Sequence, residues 1–377
     1  MEKGNVSGAS PYVHLVRDCF RSGGYVFATK PGEIAREHGI SRVARLASNE
    51  NPNPPGKKAV SRGCEALGSA NRYPDAPLEQ LLSALASCHG DYPFVTGVGM
   101  DGVIETLVRT LVDPGDRVAV SVPTFSFYGL AATAQSAEVV PVTRQDDFSV
   151  DPDRFIRGAR GSKIAFLCSP NNPTGTVTPV EDVEEILRKI DGLLFLDNAY
   201  VEFAGIDYRP LLADHGNLVI GRTLSKAFAL AGARVGYAFV PGWLVPFYNR
   251  ASTPFSLNTV SAHAATGALE DRESMEAFVR YVRDWRDRIT RECGFPASPS
   301  GANFVMIDVA PWTGDGMVRE LARRGVIVRS CASFPGLPDH YIRVSIGEDW
   351  ENEMFLNEIS VIRETGAGLS SRVRNRP

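Results

Sequence analysis

The stretch RTLSKAFALAGARVGYAFV, residues 222–240, holds Lys226 among hydroxyls and small apolar residues, and Arg234 follows eight residues on. A surface lysine ordinarily has polar neighbours at helical spacing, and this stretch has almost none. An ammonium group held among apolar neighbours loses hydration, so its pKa falls and the neutral amine becomes a usable nucleophile. The chemistry this suggests is a Schiff base with a carbonyl compound. Three other polar signatures could take part. GVGMDGVIE (97–105) puts glycines just before a helix expected to begin near Asp101. Exposed N–H groups and the helix dipole suit a phosphate there, although a plain tight turn fits the same letters. SPNNPTGT (169–176) reads as a turn and could be only a loop. FLDNAY (195–200) ends an apolar run with Asp197, which elsewhere could be a helix cap or a metal ligand.

The elements that must position these residues follow from periodicity. YPFVTGVG (92–99) leads into the helical pattern DGVIETLVRTLV, and DRVAVSVP (116–123) leads into TFSFYGLAATAQ. SKIAFLCSP (162–170) precedes VEDVEEILRKI, and GLLFLD (192–197), NLVIGRT (217–223) and VGYAFV (235–240) come after it. Apolar strands separated by amphipathic helices indicate an α/β fold with a mostly parallel sheet, buried on both faces. Ligands of such sheets lie beyond the carboxyl ends of the strands, and all three polar signatures fall there. Beyond residue 270 the pattern changes. A long helix is expected over 272–293, with Met275, Phe278, Val279, Val282 and Ile289 on one stripe. ANFVMIDV, GVIVRS and YIRVSIG then read as strands around a helix at 314–324, which together make a smaller α+β domain. The expected organisation is an N-terminal arm over 1–40, a large domain over 41–270 and a small domain over 271–377. The tail GAGLSSRVRNRP is expected to fray.

Composition excludes several other functions. The chain has 377 residues, 44% hydrophobic, with a formal net charge of −4, so neither nucleic acid nor an anionic membrane is expected as a partner. No stretch approaches the ~20 apolar residues of a membrane span, and MEKGNVSGAS lacks the apolar core of an export signal, so a cytoplasmic protein is expected. The six cysteines are scattered without a CxxC pair and the six histidines are dispersed, so no bound metal is expected.

Order and spacing of the signatures resemble the fold-type I pyridoxal-phosphate aminotransferases, and within them the histidinol-phosphate aminotransferases. The likeness runs from LASNENPNPPG (46–56) through NRYPD (71–75), SPNNPTGT, FLDNAYVEF (195–203) and RTLSKAFALAGARVGY (222–237) to YIRVSIGEDWEN (341–352). It implies a large cofactor domain with helices on both faces of its sheet, a small second domain and a homodimer. It also implies roles. Lys226 would form the Schiff base with pyridoxal phosphate and shuttle the substrate's proton, and Asp197 would keep the pyridine nitrogen protonated. Asn172 and Tyr200 would bond the phenolate oxygen, and Phe125 would stack on the ring. Thr223, Ser225, Arg234 and the backbone amides of Met100 and Asp101 would hold the phosphate, helped by Tyr73 from a second subunit. Arg343 resembles the family's carboxylate-binding arginine, Arg329 a second arginine reaching the substrate's phosphate, and Asn49 and Tyr25 further substrate contacts. The implied reaction moves the amino group of L-histidinol phosphate to 2-oxoglutarate, giving imidazole acetol phosphate and L-glutamate.

The chain departs from the family pattern at four places. Asn198 stands where glutamate is usual, Gly102 where an acid is usual and Phe125 where tyrosine is common, and NPPG follows NENP in place of aromatic-Gly-Pro-Ser. These leave open an aromatic or broad-specificity aminotransferase and a threonine-phosphate decarboxylase of the same fold. A cofactor-sensing regulator would need a helix-turn-helix module, for which the roughly 40 residues ahead of RLASNENP are too few and not basic enough. A Rossmann dehydrogenase is disfavoured because GVGMDG lacks the GxGxxG order.

Overall fold

In the computed structural model of the chain, residues 10, 12–21, 24 and 31–373 are described. They form twelve strands in three sheets. In chain order these are β1 (Ala44–Arg45), β2 (Phe94–Val98), β3 (Arg117–Val122), β4 (Glu138–Thr143), β5 (Ser162–Cys168) and β6 (Leu193–Asp197). They continue with β7 (Leu218–Thr223), β8 (Val235–Phe239), β9 (Phe304–Asp308), β10 (Val326–Ile327), β11 (Arg329–Ser330) and β12 (Tyr341–Ser345).

The large sheet has the spatial order β2-β8-β7-β6-β5-β3-β4, and only β8 runs against the others. Its central strands are mostly apolar because both faces are covered, and their polar residues gather towards the strand ends, at Ser162 and Lys163 of β5, Asp197 of β6 and Arg222 and Thr223 of β7. On β6, Leu194 and Leu196 enter one core while Leu193 and Phe195 enter the other. Ala165 and Leu167 of β5 alternate in the same way with Ile164, Phe166 and Cys168. Helices Gly99–Leu111 and Phe127–Ala134 cover the second face through Val103, Ile104, Leu107, Tyr128 and Ala131. Helices Val180–Lys189 and Thr259–Glu270 cover the first. Each fully buried Leu, Ile or Phe contributes roughly 1.5–3 kcal/mol, so the strand ends that carry polar groups are held on a stiff platform.

β9, β11 and β12 form a three-stranded antiparallel sheet in the order β11-β12-β9, and β1 pairs in parallel with β10. Chain beyond β1 stays attached to this region: Leu46 N–H donates to Ile327 O, and Ser345 N–H donates to Leu46 O, at 2.8 and 2.9 Å. Residues 46–49 are thereby pinned to β12 and to the end of β10, more than 270 residues further along the chain. The helix Glu273–Glu292 buries the expected stripe and adds Trp285 to it.

Two details differ from the sequence reading. β4 was not expected; its run EVVPVT contains Pro141, which an edge strand tolerates because one side of its backbone needs no partner. The helix expected near Asp101 begins at Gly99, whose φ of 69° only glycine adopts without strain. The last helix spans Asp349–Val373 and so reaches into the tail GAGLSSRVRNRP, which has no proline before Pro377 to stop it. Among the described residues no helix is long and apolar enough to cross a membrane, and all six cysteines are free.

Gly236 of β8 lies directly against the start of the helix Gly99–Leu111. A Cβ there would sit 2.3 Å from the Gly99 carbonyl carbon and 2.5 Å from Met100 N. Gly236→Ala must push strand and helix apart, an overpacking cost of about 1–3 kcal/mol. We expect a thermal midpoint several degrees below the wild type by calorimetry; an unchanged midpoint would contradict this packing.

Candidate active site

One cavity of about 640 Å³ opens at the carboxyl ends of the central strands. Its wall contains Lys226, Asp197, Asn172, Tyr200, Phe125, Met100 and Asp101. Thr223, Ser225, Arg234, Asn49, Arg329 and Arg343 complete the set, so the fold brings together thirteen expected residues from distant parts of the chain. Two stand apart. Tyr73 is 74% exposed outside the cavity wall, stacked on Phe255 at 4.4 Å, and Tyr25 lies outside the described residues.

Asp197 is the last residue of β6 and is 3% exposed. In register it lies beside Cys168 on β5 and Gly221 on β7. Because Gly221 has no side chain, Met100 fills the space over it; a Cβ there would be 2.8 Å from Met100 Sδ. Asp197 Oδ1 accepts from Ala199 N–H at 2.9 Å, and Oδ2 accepts from Tyr128 O–H at 2.6 Å. Burial pushes its pKa up to about 6 despite those hydrogen bonds and the charge of Lys226.

Lys226 follows β7. Its ammonium is 3.4 Å from Ser48 O and 5.8 Å from the Tyr200 ring centre, and no carboxylate among the described residues pairs with it. It lines the cleft, and desolvation, with Arg343 and Arg234 acting in the same direction, brings the pKa down to about 8. Glu50 and Asp101 oppose this. The expectation of a lysine with a lowered pKa therefore has a geometric basis.

At the other end of the cavity, Arg234 takes a left-handed conformation with φ 53° and carries its guanidinium against the helix start. A Cβ on Gly99 would meet the Arg234 guanidinium and displace it from the helix start. Arg234 Nη2 donates to Asp101 Oδ2 at 3.1 Å, and burial raises the Asp101 pKa against that cation. Thr223 Oγ1 and Ser225 Oγ are 2.9 Å apart and buried. Two hydroxyls, a guanidinium and a helix N-terminus make an oxyanion-binding corner.

A polar cluster forms a further part of the cavity wall. Arg343, buried in β12, donates through Nη1 to Asn172 Oδ1 and through Nη2 to Ala47 O at 2.8 Å, while its Nε is buried without a hydrogen-bond partner. Tyr200 O–H accepts from Asn49 Nδ2 at 3.1 Å, and burial raises the phenol's pKa. Asn49 Oδ1 in turn accepts from Ser345 Oγ at 2.9 Å. Asn49, expected at the substrate, is thus placed to orient Tyr200. Arg329 of β11 stands directly opposite Arg343 in the antiparallel register.

These residues fit pyridoxal phosphate. Thr223, Ser225 and Arg234 suit its phosphate, Asp197 its ring nitrogen, Lys226 its aldehyde and Phe125 a flat face. The departures do not disturb that set: neither Asn198 nor Gly102 lines the cavity, and Asn198 Nδ2 donates outside it to Ser169 O at 2.7 Å. Among the described residues no cluster of His, Cys, Asp and Glu could hold a metal. Sequence reasoning missed Tyr128 and Glu50; the only signal for Tyr128 is its place three residues after Phe125.

Comparison with known proteins agrees with this geometry. Residues 41–359 match the family model for class I and II aminotransferases. A histidinol-phosphate aminotransferase of Methanoculleus marisnigri is 62% identical over 346 residues, 92% of this chain and 98% of the relative. One of Methanocorpusculum labreanum is 56% identical over 90% of this chain and 97% of the relative. The crystal structure of histidinol-phosphate aminotransferase from Sinorhizobium meliloti, in complex with pyridoxal-5'-phosphate, superposes with a TM-score of 0.83 at 27% identity, covering 96% of this chain and all of the other. Sequence, fold and cavity together place this chain in the class I and II aminotransferase family, as a member of its histidinol-phosphate aminotransferases.

Proposed function

We propose that the cavity transfers the amino group of L-histidinol phosphate to 2-oxoglutarate, giving imidazole acetol phosphate and L-glutamate in histidine biosynthesis. The observation that carries the substrate choice is the register of Arg329 opposite Arg343, with both in the cavity wall. Like charges directly opposite one another on paired strands repel. A phosphate ester, with more charge than a carboxylate, offers both guanidinium groups an acceptor.

Bound pyridoxal phosphate supplies an electron-withdrawing ring that stabilises negative charge at the substrate's Cα. The chain's own groups do the rest. Above pH about 8 the Lys226 amine is neutral and able to attack a carbonyl or carry a proton. Asp197 would hold the ring nitrogen's proton, Tyr200 and Asn172 would bond the phenolate oxygen, and Phe125 would pack on the ring. Thr223, Ser225, Arg234 and the amides of Met100 and Asp101 take the phosphate. Arg343 holds the anionic group of either amino donor, and Arg329 adds a second fork for phosphate. Asn49 orients Tyr200, and Tyr25 is assigned to the substrate on resemblance alone.

The same reading makes the enzyme a cytoplasmic homodimer. It divides the chain into an arm (1–40), a cofactor-binding unit (41–270) and a smaller unit (271–377). β1 crosses that division, since it pairs with β10. Tyr73 and Phe255, 74% and 52% exposed, form a stacked aromatic pair of the kind that anchors interfaces. Tyr73 would complete the partner's phosphate corner.

Two measurements follow. Arg343→Leu should slow both half-reactions, each by ~2–4 kcal/mol of lost pairing, whereas Arg329→Leu should slow the histidinol-phosphate half more than the glutamate half. Stopped-flow absorbance separates them, and an Arg329→Leu enzyme with an intact histidinol-phosphate half-reaction would sink the phosphate assignment. For the dimer, inactive Lys226→Ala subunits mixed with impaired Tyr73→Ala subunits should regain activity above the mean of the two, because each hybrid contains one wild-type site. No recovery after subunit exchange, verified by native mass spectrometry, would refute a shared site.

A further inference from the structure

Tyr128 is a buried titratable group to which neither the resemblance nor the proposed reaction gives a task. We infer that Tyr128 is a positioning residue: its hydroxyl holds the Asp197 carboxylate in one orientation and favours its charged form. The inference rests on the reading of Asp197 as the partner of the cofactor's ring nitrogen.

The geometry leaves Tyr128 little freedom. It is fully buried near the start of the helix Phe127–Ala134. Its ring stacks on Phe166 at 4.8 Å and 8°, and meets Phe125 edge-on at 5.6 Å and 84°. The hydroxyl then reaches Asp197 Oδ2 at 2.6 Å. One short segment therefore carries both the aromatic face assigned to the cofactor ring and the donor that fixes the carboxylate beneath it. A phenol on a rigid ring, packed on two sides, holds its partner's angle better than a water could.

The donor direction is also fixed. Burial and the facing carboxylate raise the Tyr128 pKa well above the ordinary phenol value, so the hydroxyl keeps its proton and donates. Other groups facing Asp197 do not replace it. Cys168, next to it in register, has its thiol pushed up to about 12 by burial and stays neutral. Asp101, from the helix start, opposes the charge on Asp197, and Lys226 supports it. Tyr200 is a protonated phenol whose hydroxyl accepts from Asn49. Removing the Tyr128 hydroxyl leaves the buried carboxylate with the Ala199 N–H as its one hydrogen bond, and the proton-bound form gains. A folded-state pKa already near 6 then rises towards neutrality, where a protonated Asp197 cannot hold a cationic ring nitrogen.

The test is the pH dependence of pyridoxal-phosphate affinity in wild-type, Tyr128→Phe and Asp197→Asn apoenzymes, read by absorbance titration, with kcat and KM on the loaded enzymes. Wild-type affinity should fall as the pH drops through about 6. Tyr128→Phe keeps the ring and should move that midpoint up by about one pH unit or more. Its kcat at pH 7 should drop about tenfold or more with little change in KM. The free cofactor's own titrations are common to all three proteins and cancel in the comparison. Should Tyr128→Phe not fold, 3,5-difluorotyrosine at position 128, a stronger donor of nearly the same shape, should move the midpoint downwards. An impaired Asp197→Asn beside a Tyr128→Phe enzyme with wild-type midpoint and kcat overturns the role of Tyr128 alone. Wild-type affinity in Asp197→Asn at every pH overturns the reading of Asp197 itself.

Discussion

A carboxylate at the end of a strand covered on both faces is the constraint around which this structure is organised. Burying an ionised acid costs several kcal/mol unless hydrogen bonds and counter-charge offset it. Asp197 has both its oxygens bonded, one to the backbone of Ala199 and one to Tyr128. The remaining offset is left to whatever fills the cavity. The neighbouring strands contribute by what they omit: Gly221 clears the space that Met100 occupies, and Cys168 brings no charge. The glycines at 97, 99 and 236 let the phosphate corner approach the same strand ends. The apolar core matters to the chemistry because it fixes where these strand ends lie.

Across the cavity the electrostatics run the other way. Lys226, Arg343, Arg329 and Arg234 face a space into which Glu50, Asp101 and Asp197 also look. Arg343 is buried with its Nε unbonded and no carboxylate partner among the described residues. Such an arrangement costs stability in the empty protein and is favourable once anions are bound. Desolvation brings the Lys226 pKa down to about 8, and Arg343 and Arg234 add to it against the opposing charges of Glu50 and Asp101. Cofactor phosphate, substrate phosphate and the carboxylates of glutamate are the anions that the proposed reaction brings.

Much of this was legible in the sequence, for physical reasons. Strands buried on both faces read as unbroken apolar runs, so β5, β6, β7 and β8 could be found from composition. Asp197, Lys226 and Arg234 stand out because charge in such runs is expensive. Their grouping in one cavity also follows from strand order, since all lie at or beyond strand ends. What stayed hidden depends on register and side-chain direction. Nothing in GVIVRS and YIRVSIG says that Arg329 and Arg343 lie directly opposite one another. Nor does VPTFSFYGL reveal that Tyr128 reaches Asp197 across two elements. Asn49, expected at the substrate, lines the cavity and also bonds Tyr200 and Ser345, a link that the sequence does not reveal. β4 was masked by its own proline.

The most direct test of the account is a single half-reaction. Purified holoenzyme, free of oxo acid, is mixed with L-histidinol phosphate, L-phenylalanine or L-threonine phosphate, and loss of the bound cofactor's long-wavelength absorbance is followed. The paired arginines predict conversion by histidinol phosphate with a specificity constant ~30-fold or more above phenylalanine, the ratio that about 2 kcal/mol of phosphate pairing produces. Phenylalanine reacting as fast as histidinol phosphate, or threonine phosphate consumed with release of carbon dioxide, would contradict it.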